Sequence, residues 1–245
     1  MKVSFILPCL NAEFIIENSI QKLKKKLLKI KNINYELILI DDGSTDDTSK
    51  IIKKFKGKNI KLITNSKNLG KSTSLIKAIK IAKYEKIIIC DCDLPYFKYL
   101  NKLIKLLRTN NLVYINRRSS KSTLEAKKMN FYQISRHIIG SMVCFVLNLL
   151  LLDKDTGDTQ AGLKGFDKPK NFNKINFLSK KFFFDAELMI LFHRYKAKMI
   201  SIPLKYRIYE NSTIKIFGLE NFVFLLELIK IVLFYKFFKN KKIIL

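Results

Sequence analysis

The first half of the chain alternates between short apolar runs and stretches whose apolar residues recur with the period of a helix. Five runs are predicted as strands, at 3–7, 36–40, 60–64, 87–89 and 112–115. The stretches between them each carry one apolar face, as amphipathic helices do. Strands that alternate with helices form a mostly parallel sheet, and right-handed crossovers place the loops after the strands at one edge. The pattern predicts an α/β fold with a mostly parallel, doubly wound sheet.

Pro8 and Asn11 are the expected boundaries of the first strand and the first helix. Pro8 ends the apolar run that begins at Val3, and Asn11 belongs to the residue types that commonly cap a helix N-terminus. The apolar stripe of the helix that follows is formed by Ile16, Ile20, Leu23, Leu27 and Ile30. The chain therefore begins with a strand, a short loop and a helix.

The alternation stops after Asn116, where a basic polar stretch leads into an apolar segment at 137–152. This segment has 16 residues, whereas crossing a bilayer takes roughly 20, so we expect it to be too short to span a membrane. Residues 155–166 are predicted as a turn and a short strand, 184–195 as a helix and 199–206 as a strand.

The last apolar stretch, 219–238, places Glu220, Glu227 and Lys230 on one helical face. Such a helix is typical of the membrane interface, and the basic sequence KFFKNKK at its end would meet lipid phosphates. A core helix that packs on the sheet is the alternative.

The net charge of +27 comes from 47 Lys and Arg residues against 20 Asp and Glu, and only six of the basic residues are Arg. This charge suits an anionic membrane or a nucleic acid as partner, and the lysine-rich composition of an AT-rich genome is a rival explanation. Basic residues are spread along the chain without a DNA- or RNA-binding motif, while acidic residues gather at predicted strand ends. We therefore expect no nucleic acid partner, although a basic nucleic-acid-binding protein stays open as an alternative of another class.

The four cysteines show no Cys-x-x-Cys spacing, and three of them flank apolar strands or helices. We predict reduced, buried thiols, as in a cytosolic protein. The first residues already form a predicted strand, so we expect no signal peptide and a location on the cytoplasmic side.

Asp91 and Asp93 directly follow the buried strand at 87–89. Open α/β sheets bind their ligands at the carboxyl ends of the strands, and two hard oxygen ligands there suit Mg²⁺ or Mn²⁺ carrying a diphosphate. Taken alone, so short a pattern is also typical of a solvated turn.

Three further loops at the same predicted edge support the ligand interpretation. The four polar loops are PCLNAE at 8–13, DDGSTDD at 41–47, NSKNLGKS at 65–72 and DCDLP at 91–95. If they converge, Asp42 can accept a hydrogen bond from a nucleoside base or ribose, and Lys71 can meet phosphate. Asp91 and Asp93 can then hold the metal that bridges the two phosphates.

This series of loops resembles family 2 glycosyltransferases of the A-type fold, whose metal-binding Asp-x-Asp follows a strand in the same way. In the second half, NRR at 116–118, DTQAGLKGF at 158–166 and FFFDAEL at 182–188 are similar to polyprenyl-phosphate sugar transferases. Among these, the motifs look closest to dolichyl-phosphate β-glucosyltransferases, with dolichyl-phosphate mannose synthases next. The resemblance covers residues 1–217.

The resemblance implies an inverting transfer of a hexose, glucose or mannose, from a UDP- or GDP-sugar to a polyprenyl phosphate on the cytoplasmic membrane face, with Mg²⁺ or Mn²⁺ as cofactor. It implies a catalytic domain at 1–217, divided into a nucleotide-sugar half at 1–116 and an acceptor half at 117–217, and a peripheral membrane tail at 218–245. The residues placed at the nucleotide sugar are Pro8, Asn11, Glu13, Asp42, Lys71 and Asp91.

The catalytic residues predicted for this transfer are Asp93, Arg118, Arg136 and Asp158. Arg118 and Arg136 are expected to clamp the acceptor phosphate, because arginine binds phosphate through two parallel hydrogen bonds. Asp158 is expected to orient a donor hydroxyl or Arg136, with a purely structural turn as the alternative.

A phosphate acceptor does not need the general base that a sugar hydroxyl acceptor needs. A hydroxyl needs a general base, whereas a phosphate monoester with a second pKa of about 6 is already largely dianionic at neutral pH. We therefore expect no catalytic base. Transfer to a surface polysaccharide or another soluble acceptor is the alternative within the same enzyme class.

The chain departs from the resemblance at the metal site. The mannose synthases complete that site with a Gln two residues beyond the second Asp, where this chain has Pro95, which offers no ligand atom. Either water fills the coordination sphere or the metal is held more weakly.

Overall fold

The computed structural model describes residues 1–125, 130–152, 156–207 and 219–237. The domain boundary predicted at 217 and most of the basic sequence that ends the tail lie outside these residues. The strands are β1 (Lys2–Cys9), β2 (Asn34–Asp41), β3 (Ile60–Thr64), β4 (Lys86–Cys90), β5 (Leu112–Asn116), β6 (Thr123–Leu124), β7 (Leu163–Asp167), β8 (Met199–Pro203) and β9 (Lys205–Tyr206). The α-helices are α1 (Ile16–Leu28), α2 (Thr48–Lys54), α3 (Lys71–Ile81), α4 (Leu100–Leu106), α5 (Phe131–Leu151), α6 (Phe184–Arg194) and α7 (Leu219–Phe237).

Seven of the strands form one sheet in the order β3-β2-β1-β4-β7-β5-β8. All neighbours pair in parallel except β7, which is antiparallel to both β4 and β5. The predicted α/β class with a mostly parallel sheet is confirmed. The strand predicted at 199–206 is divided into β8 and β9, and β9 pairs with β6 in a separate ribbon.

Residues along the central strands alternate between two hydrophobic layers, because successive side chains of a strand point to opposite faces. Phe5 and Leu7 pack with α1 and α4 on one face, and Ile6 and Ile38 pack with α3 and α6 on the other. Burying one such side chain stabilises the fold by about 1.5–3 kcal/mol. Helices therefore pack on both faces of the sheet and fix the position of its carboxyl edge.

Pro8 and Asn11 do not end the first strand and cap the first helix as predicted. β1 continues through Pro8 to Cys9 and pairs with β2 along its whole length. The Cys9 carbonyl accepts from Asp42 N on the β2 side, so the backbone of Pro8 faces β4, whose pairing with β1 has ended at Ile6. A proline is tolerated there because no ladder partner needs its missing N–H.

α5 is longer than the apolar segment predicted at 137–152. It has 21 residues and begins with a capping box, in which Asn130 Oδ1 accepts from Gln133 N and Gln133 Oε1 accepts from Asn130 N. In the part of the chain that the structure describes, it is the one helix long and apolar enough to cross a membrane, by length and composition alone. The prediction of a segment too short to span is therefore wrong, because the helix extends back to Phe131.

α7 has one side packed as a core helix and another that is apolar and exposed. Leu228, Ile231 and Tyr235 are buried in the same hydrophobic layer as α6, whereas Phe222 and Phe237 are 64% and 70% exposed. Each of the two predicted alternatives, interface helix and core helix, thus describes one side of α7. Its association with a membrane stays a prediction.

Candidate active site

The first two loops at the carboxyl edge are tied together by hydrogen bonds. Asn11 adopts a left-handed backbone with φ of 49°, donates its N–H to Ser44 Oγ at 2.9 Å, and accepts at Oδ1 from Thr45 N at 2.9 Å. Glu13 Oε2 accepts from Asp47 N at 3.0 Å. Asn11 and Glu13 therefore shape the loop after β1 against the loop after β2.

Asp42 organises the third loop, which runs from β3 to α3. It is buried, and its Oδ1 accepts from Asn65 Nδ2, Leu69 N and Ser74 Oγ at 2.7–3.0 Å, while Oδ2 accepts from Gly70 N at 2.9 Å. The predicted contact of Asp42 with a nucleoside base or ribose stays a prediction. With four donors of its own protein at its carboxylate, Asp42 holds the third loop at the carboxyl edge of the sheet.

Lys71 joins the third loop to the fourth, and so completes the convergence of the four loops. Its Nζ lies 2.6 Å from Asp91 Oδ1. Burial favours the neutral amine, but the negative charges of Asp91 and Asp185 outweigh it and raise the pKa of Lys71. The lysine is therefore a fixed cation at the edge of the sheet.

The two aspartates after β4 have different surroundings. Asp91 is half-buried, donates its backbone N–H to the Gly162 carbonyl at 2.9 Å and bonds Lys71, whereas Asp93 is exposed in the turn that follows. Gly162 leaves the space that the Asp91 carboxylate fills, because a Cβ at that position would collide with Asp91 Oδ2. β7, which carries this part of the chain beside β4, thus sets the place of Asp91.

These residues fit a divalent cation that arrives with phosphate. Among the described residues, no three His, Cys, Asp or Glu side chains form a cluster that would hold a metal unaided. Mg²⁺ is usually held by one or two carboxylates together with substrate phosphates, so Asp91 and Asp93 form a suitable donor set. Lys71, bonded to Asp91, lies where it would share the negative charge of those phosphates.

A second charged centre lies where β5 meets the turn before β7. Asp158 is fully buried and accepts from Arg117 Nε and Nη2, while Arg118 Nη1 lies 3.2 Å from its Oδ2. Burial opposes ionisation of Asp158, but the positive charges of Arg117 and Arg118 outweigh it and hold its pKa well below the ordinary value. Asp158 thus holds Arg117 and Arg118, and the orientation of a donor hydroxyl or of Arg136 by Asp158 stays a prediction.

Arg118 retains hydrogen-bonding capacity. Its Nε and Nη1 are buried and make no hydrogen bond to the residues that the structure describes, although Nη1 is in ion-pair contact with Asp158. Its guanidinium lies against α5, because a Cβ added to Gly140 would be 3.0 Å from Nη2. The side chain of Arg136, the other predicted phosphate ligand, lies outside the described residues, so its role stays a prediction.

Two charged groups at the site were missed by the sequence analysis. Arg117 was noted only as part of a motif, yet it makes the two-pronged contact with Asp158. Lys164, in the middle of the buried strand β7, lies 2.8 Å from Asp185 at the start of α6. The sequence did contain a signal for Lys164, because it lies between Leu163 and Gly165 in an apolar run. A lysine buried in a strand is expected to have an acidic partner.

Comparison with known proteins shows the family to which the chain belongs. The family model "Glycosyl transferase family 2" matches residues 4–195. A dolichyl-phosphate beta-glucosyltransferase of Trichomonas vaginalis is 27% identical over 96% of this chain and 74% of its own length. The human dolichyl-phosphate beta-glucosyltransferase is 25% identical over 86% of this chain and 69% of its own.

Solved structures confirm the fold. Glucosyl-3-phosphoglycerate synthase from Mycobacterium tuberculosis in complex with UDP superposes with a TM-score of 0.62 at 16% identity, covering 94% of this chain and 80% of that one. The same enzyme with Mn²⁺ and UDP-glucose gives a TM-score of 0.61 at 15% identity, covering 96% and 78% of the two chains. The predicted A-type glycosyltransferase fold is therefore correct.

Proposed function

The chain belongs to glycosyl transferase family 2 as a hexosyltransferase, and on that premise we propose that it transfers glucose or mannose from a UDP- or GDP-sugar to a polyprenyl phosphate. The proposed donor site is the mouth formed by the four loops, with a divalent cation at Asp91 and Asp93. The relatives named for dolichyl phosphate support the lipid acceptor, and the solved neighbours with UDP and Mn²⁺ support the donor and the metal.

The observation that carries the acceptor proposal is the arginine pair at Asp158. Arg117 donates two hydrogen bonds to Asp158, whereas Arg118 is an ion-pair partner of Asp158 whose buried Nε and Nη1 make no hydrogen bond to the described residues. Buried donors are costly when they remain unsatisfied, and a phosphate dianion offers both the charge and the acceptor oxygens that a guanidinium binds in two-pronged fashion. Arg118 is therefore the proposed ligand of the acceptor phosphate, with Arg136 proposed as its companion.

The pairing of the acidic side chains favours a phosphate over a hydroxyl acceptor. Asp91 is paired with Lys71, Asp158 with arginine, and Asp185 with Lys164. Against the effect of burial, the charges of Arg117 and Arg118 lower the pKa of Asp158, which makes this carboxylate a poor proton acceptor. A phosphate monoester has a second pKa of about 6 and needs no base at neutral pH.

The proposed reaction is an in-line displacement at the anomeric carbon. An oxygen of the acceptor phosphate forms the new bond to that carbon, while the bond to the donor diphosphate breaks and its electron pair leaves with the diphosphate. The divalent cation, when bound, neutralises charge on the leaving group. Lys71 contributes a fixed positive charge at the same place, and Arg118 positions the attacking phosphate.

Two helices near the acceptor site expose apolar faces that suit the lipid chain. On α5 the exposed large apolar side chains are Phe131, Ile134, Ile138, Ile139, Met142, Phe145 and Leu149. On α7 they are Phe222, Leu225, Leu226, Ile229, Leu233 and Phe237. Because Arg118 lies against α5 at Gly140, the proposed phosphate site opens beside these faces. We therefore place the protein peripherally on the cytoplasmic face of a membrane, where its positive charge meets anionic lipid.

The proposal is tested by following radiolabelled hexose from UDP-glucose and GDP-mannose, each with Mg²⁺ or Mn²⁺, into undecaprenyl phosphate. We expect label in an organic-extractable, mild-acid-labile product. Undecaprenol, which lacks the phosphate, is the matched acceptor control and should remain unlabelled. Label that enters only water-soluble acceptors, or no transfer from either donor, would contradict the proposal.

Gly162→Ala is expected to displace the Asp91 carboxylate and to lower kcat/KM for transfer about 10- to 100-fold, as misplacement by about 1 Å can do. Gly57→Ala is the matched control, because a methyl group there has no neighbour closer than 3.6 Å. Steady-state kinetics and thermal unfolding of both variants separate a local from a global effect. A Gly162→Ala enzyme with wild-type kcat/KM would show that the position of Asp91 is not critical.

A further inference from the structure

Glu227 fastens α7 to one loop of the catalytic domain. Its Oε1 accepts from Lys180 N and Lys181 N, both at 2.9 Å, and its Oε2 accepts from Phe182 N at 3.0 Å and Ser179 Oγ at 3.2 Å. One carboxylate thus accepts hydrogen bonds from three successive backbone N–H groups and a hydroxyl. This loop, residues 179–182, is called the bracing loop below.

The opposite side of the bracing loop caps the start of α3. Lys181 O accepts from Ser72 N at 3.2 Å, and Lys180 O accepts from Thr73 N at 3.0 Å and Thr73 Oγ1 at 3.1 Å. Ser72 Oγ and Ser179 Oγ share a further hydrogen bond of 2.8 Å. The first N–H groups of a helix have no partner within it, and here a loop more than a hundred residues further along the chain satisfies them.

The capped helix begins with the lysine of the donor site. Lys71 is the first residue of α3, and Gly70 before it provides no side-chain cap. Gly70 also lies so close to the bracing loop that a Cβ would approach Lys180 O to 2.6 Å. The position of Lys71 relative to Asp91 therefore depends on the position of the bracing loop.

We propose that Glu227 is a positioning residue for the donor site, which acts through the bracing loop on α3 and thereby on Lys71. The inference deepens the proposed function and rests on it. In this inference α7 has two roles. Its exposed apolar side is proposed to contact the membrane, and Glu227 on the same helix holds the bracing loop that positions Lys71.

The test uses the full chain with Glu227→Gln. The glutamine side chain has the same size as glutamate. Its NH2 group, however, would face the Phe182 N–H and the Ser179 hydroxyl, which in the wild type donate hydrogen bonds to Glu227 Oε2. Binding of UDP and of GDP with Mn²⁺ is measured by isothermal titration calorimetry. We expect the dissociation constant of the nucleotide that the wild type binds to rise about tenfold, as loss of a hydrogen bond to a charged group does. KM for the nucleotide sugar should rise with it, while KM for polyprenyl phosphate stays unchanged.

Two control variants separate positioning from other effects. Glu17→Gln makes the same chemical change at an exposed site on α1 and should leave nucleotide affinity unchanged. Leu226→Ser alters the exposed apolar side of α7 next to Glu227. It should weaken binding to vesicles that contain anionic phospholipid, but not nucleotide binding.

A second variant and a hydrogen-exchange measurement distinguish loss of positioning from general unfolding. Ser179→Ala removes only one hydroxyl of the bracing loop and should shift nucleotide affinity in the same direction by a smaller factor. In hydrogen exchange, Glu227→Gln should expose amides at 71–74 and 179–182 while those of β1 stay protected.

Wild-type nucleotide affinity in both Glu227→Gln and Ser179→Ala would overturn the inference, and so would loss of protection across β1 as well as α3. Nucleotide binding without any lipid product in the wild type would refute the acceptor proposal alone. A wild type that binds neither nucleotide would refute both proposals.

Discussion

Asparagine in place of Asp158 is expected to lower the free energy of unfolding by about 3–5 kcal/mol, because it leaves the two partly buried arginines without their buried counter-charge. The Asp158 side chain is inaccessible to solvent and is paired with both Arg117 and Arg118. Asparagine preserves the volume, so the effect isolates the charge. Transfer should also be lost, since Arg118 would no longer be held where we propose that the acceptor phosphate binds.

The stability effect is measured by chemical denaturation, with Asp47→Asn as matched control. Asp47 pairs with Lys50 at an exposed site, where the same change should shift stability by less than about 0.5 kcal/mol. Adding Arg117→Met to Asp158→Asn should restore part of the stability, because one unpaired charge is removed with it. Equal stability of Asp158→Asn and wild type would show that the pair contributes nothing.

The pH dependence of this effect has a definite sign. The pKa of Asp158 is depressed in the folded protein, mainly because the arginine charges outweigh the effect of burial. A depressed carboxyl pKa stabilises the fold at pH values above the unfolded pKa, and the contribution is lost as the pH falls through the folded value. The stability difference between wild type and Asp158→Asn should therefore persist through the neutral range and shrink only in strong acid.

Asp93→Ala is expected to lower kcat/KM for transfer by at least about 100-fold, because a catalytic metal supplies several kcal/mol of charge stabilisation. Asp93 is exposed, so folding should be nearly unaffected. Mn²⁺ binding in the presence of UDP or GDP, followed by electron paramagnetic resonance, should weaken in parallel. The measurement thus tests the metal assignment separately from turnover.

Asp167→Asn is the matched control for Asp93→Ala. Asp167 lies at the other end of the β4–β7 pair, where it bonds Lys86 at 2.6 Å, far from the carboxyl edge of β4. Transfer by this variant should stay close to wild type. An Asp93→Ala protein that keeps full turnover and full Mn²⁺ affinity would exclude Asp93 as a metal ligand.

The convergence of the four loops could be predicted because it follows from chain order alone. Each loop directly follows a parallel strand, and the crossover rule places such loops at one edge whatever the side chains are. Lys71 and Asp91 are 20 residues apart in sequence but 2.6 Å apart in space for this reason. Whether these residues bind a nucleotide sugar stays a prediction.

The insertion of β7 between β4 and β5 could not be predicted in this way. It brings Gly162 against Asp91 and Lys164 against Asp185, although periodicity along the chain does not indicate which strands become neighbours. The same holds for Arg117 at Asp158, which depends on how the turn at 156–160 packs on β5.

The sequence by itself determined the α/β class, the family and the polar edge of the sheet, because these depend on local periodicity and on short runs of neighbouring residues. Only the tertiary structure decided that Asp42 holds a loop, that Asp158 pairs with two arginines, and that Glu227 braces the start of α3. Each of these contacts joins residues distant in the chain, and the partner of a buried charge is set by packing, which no single stretch of sequence contains.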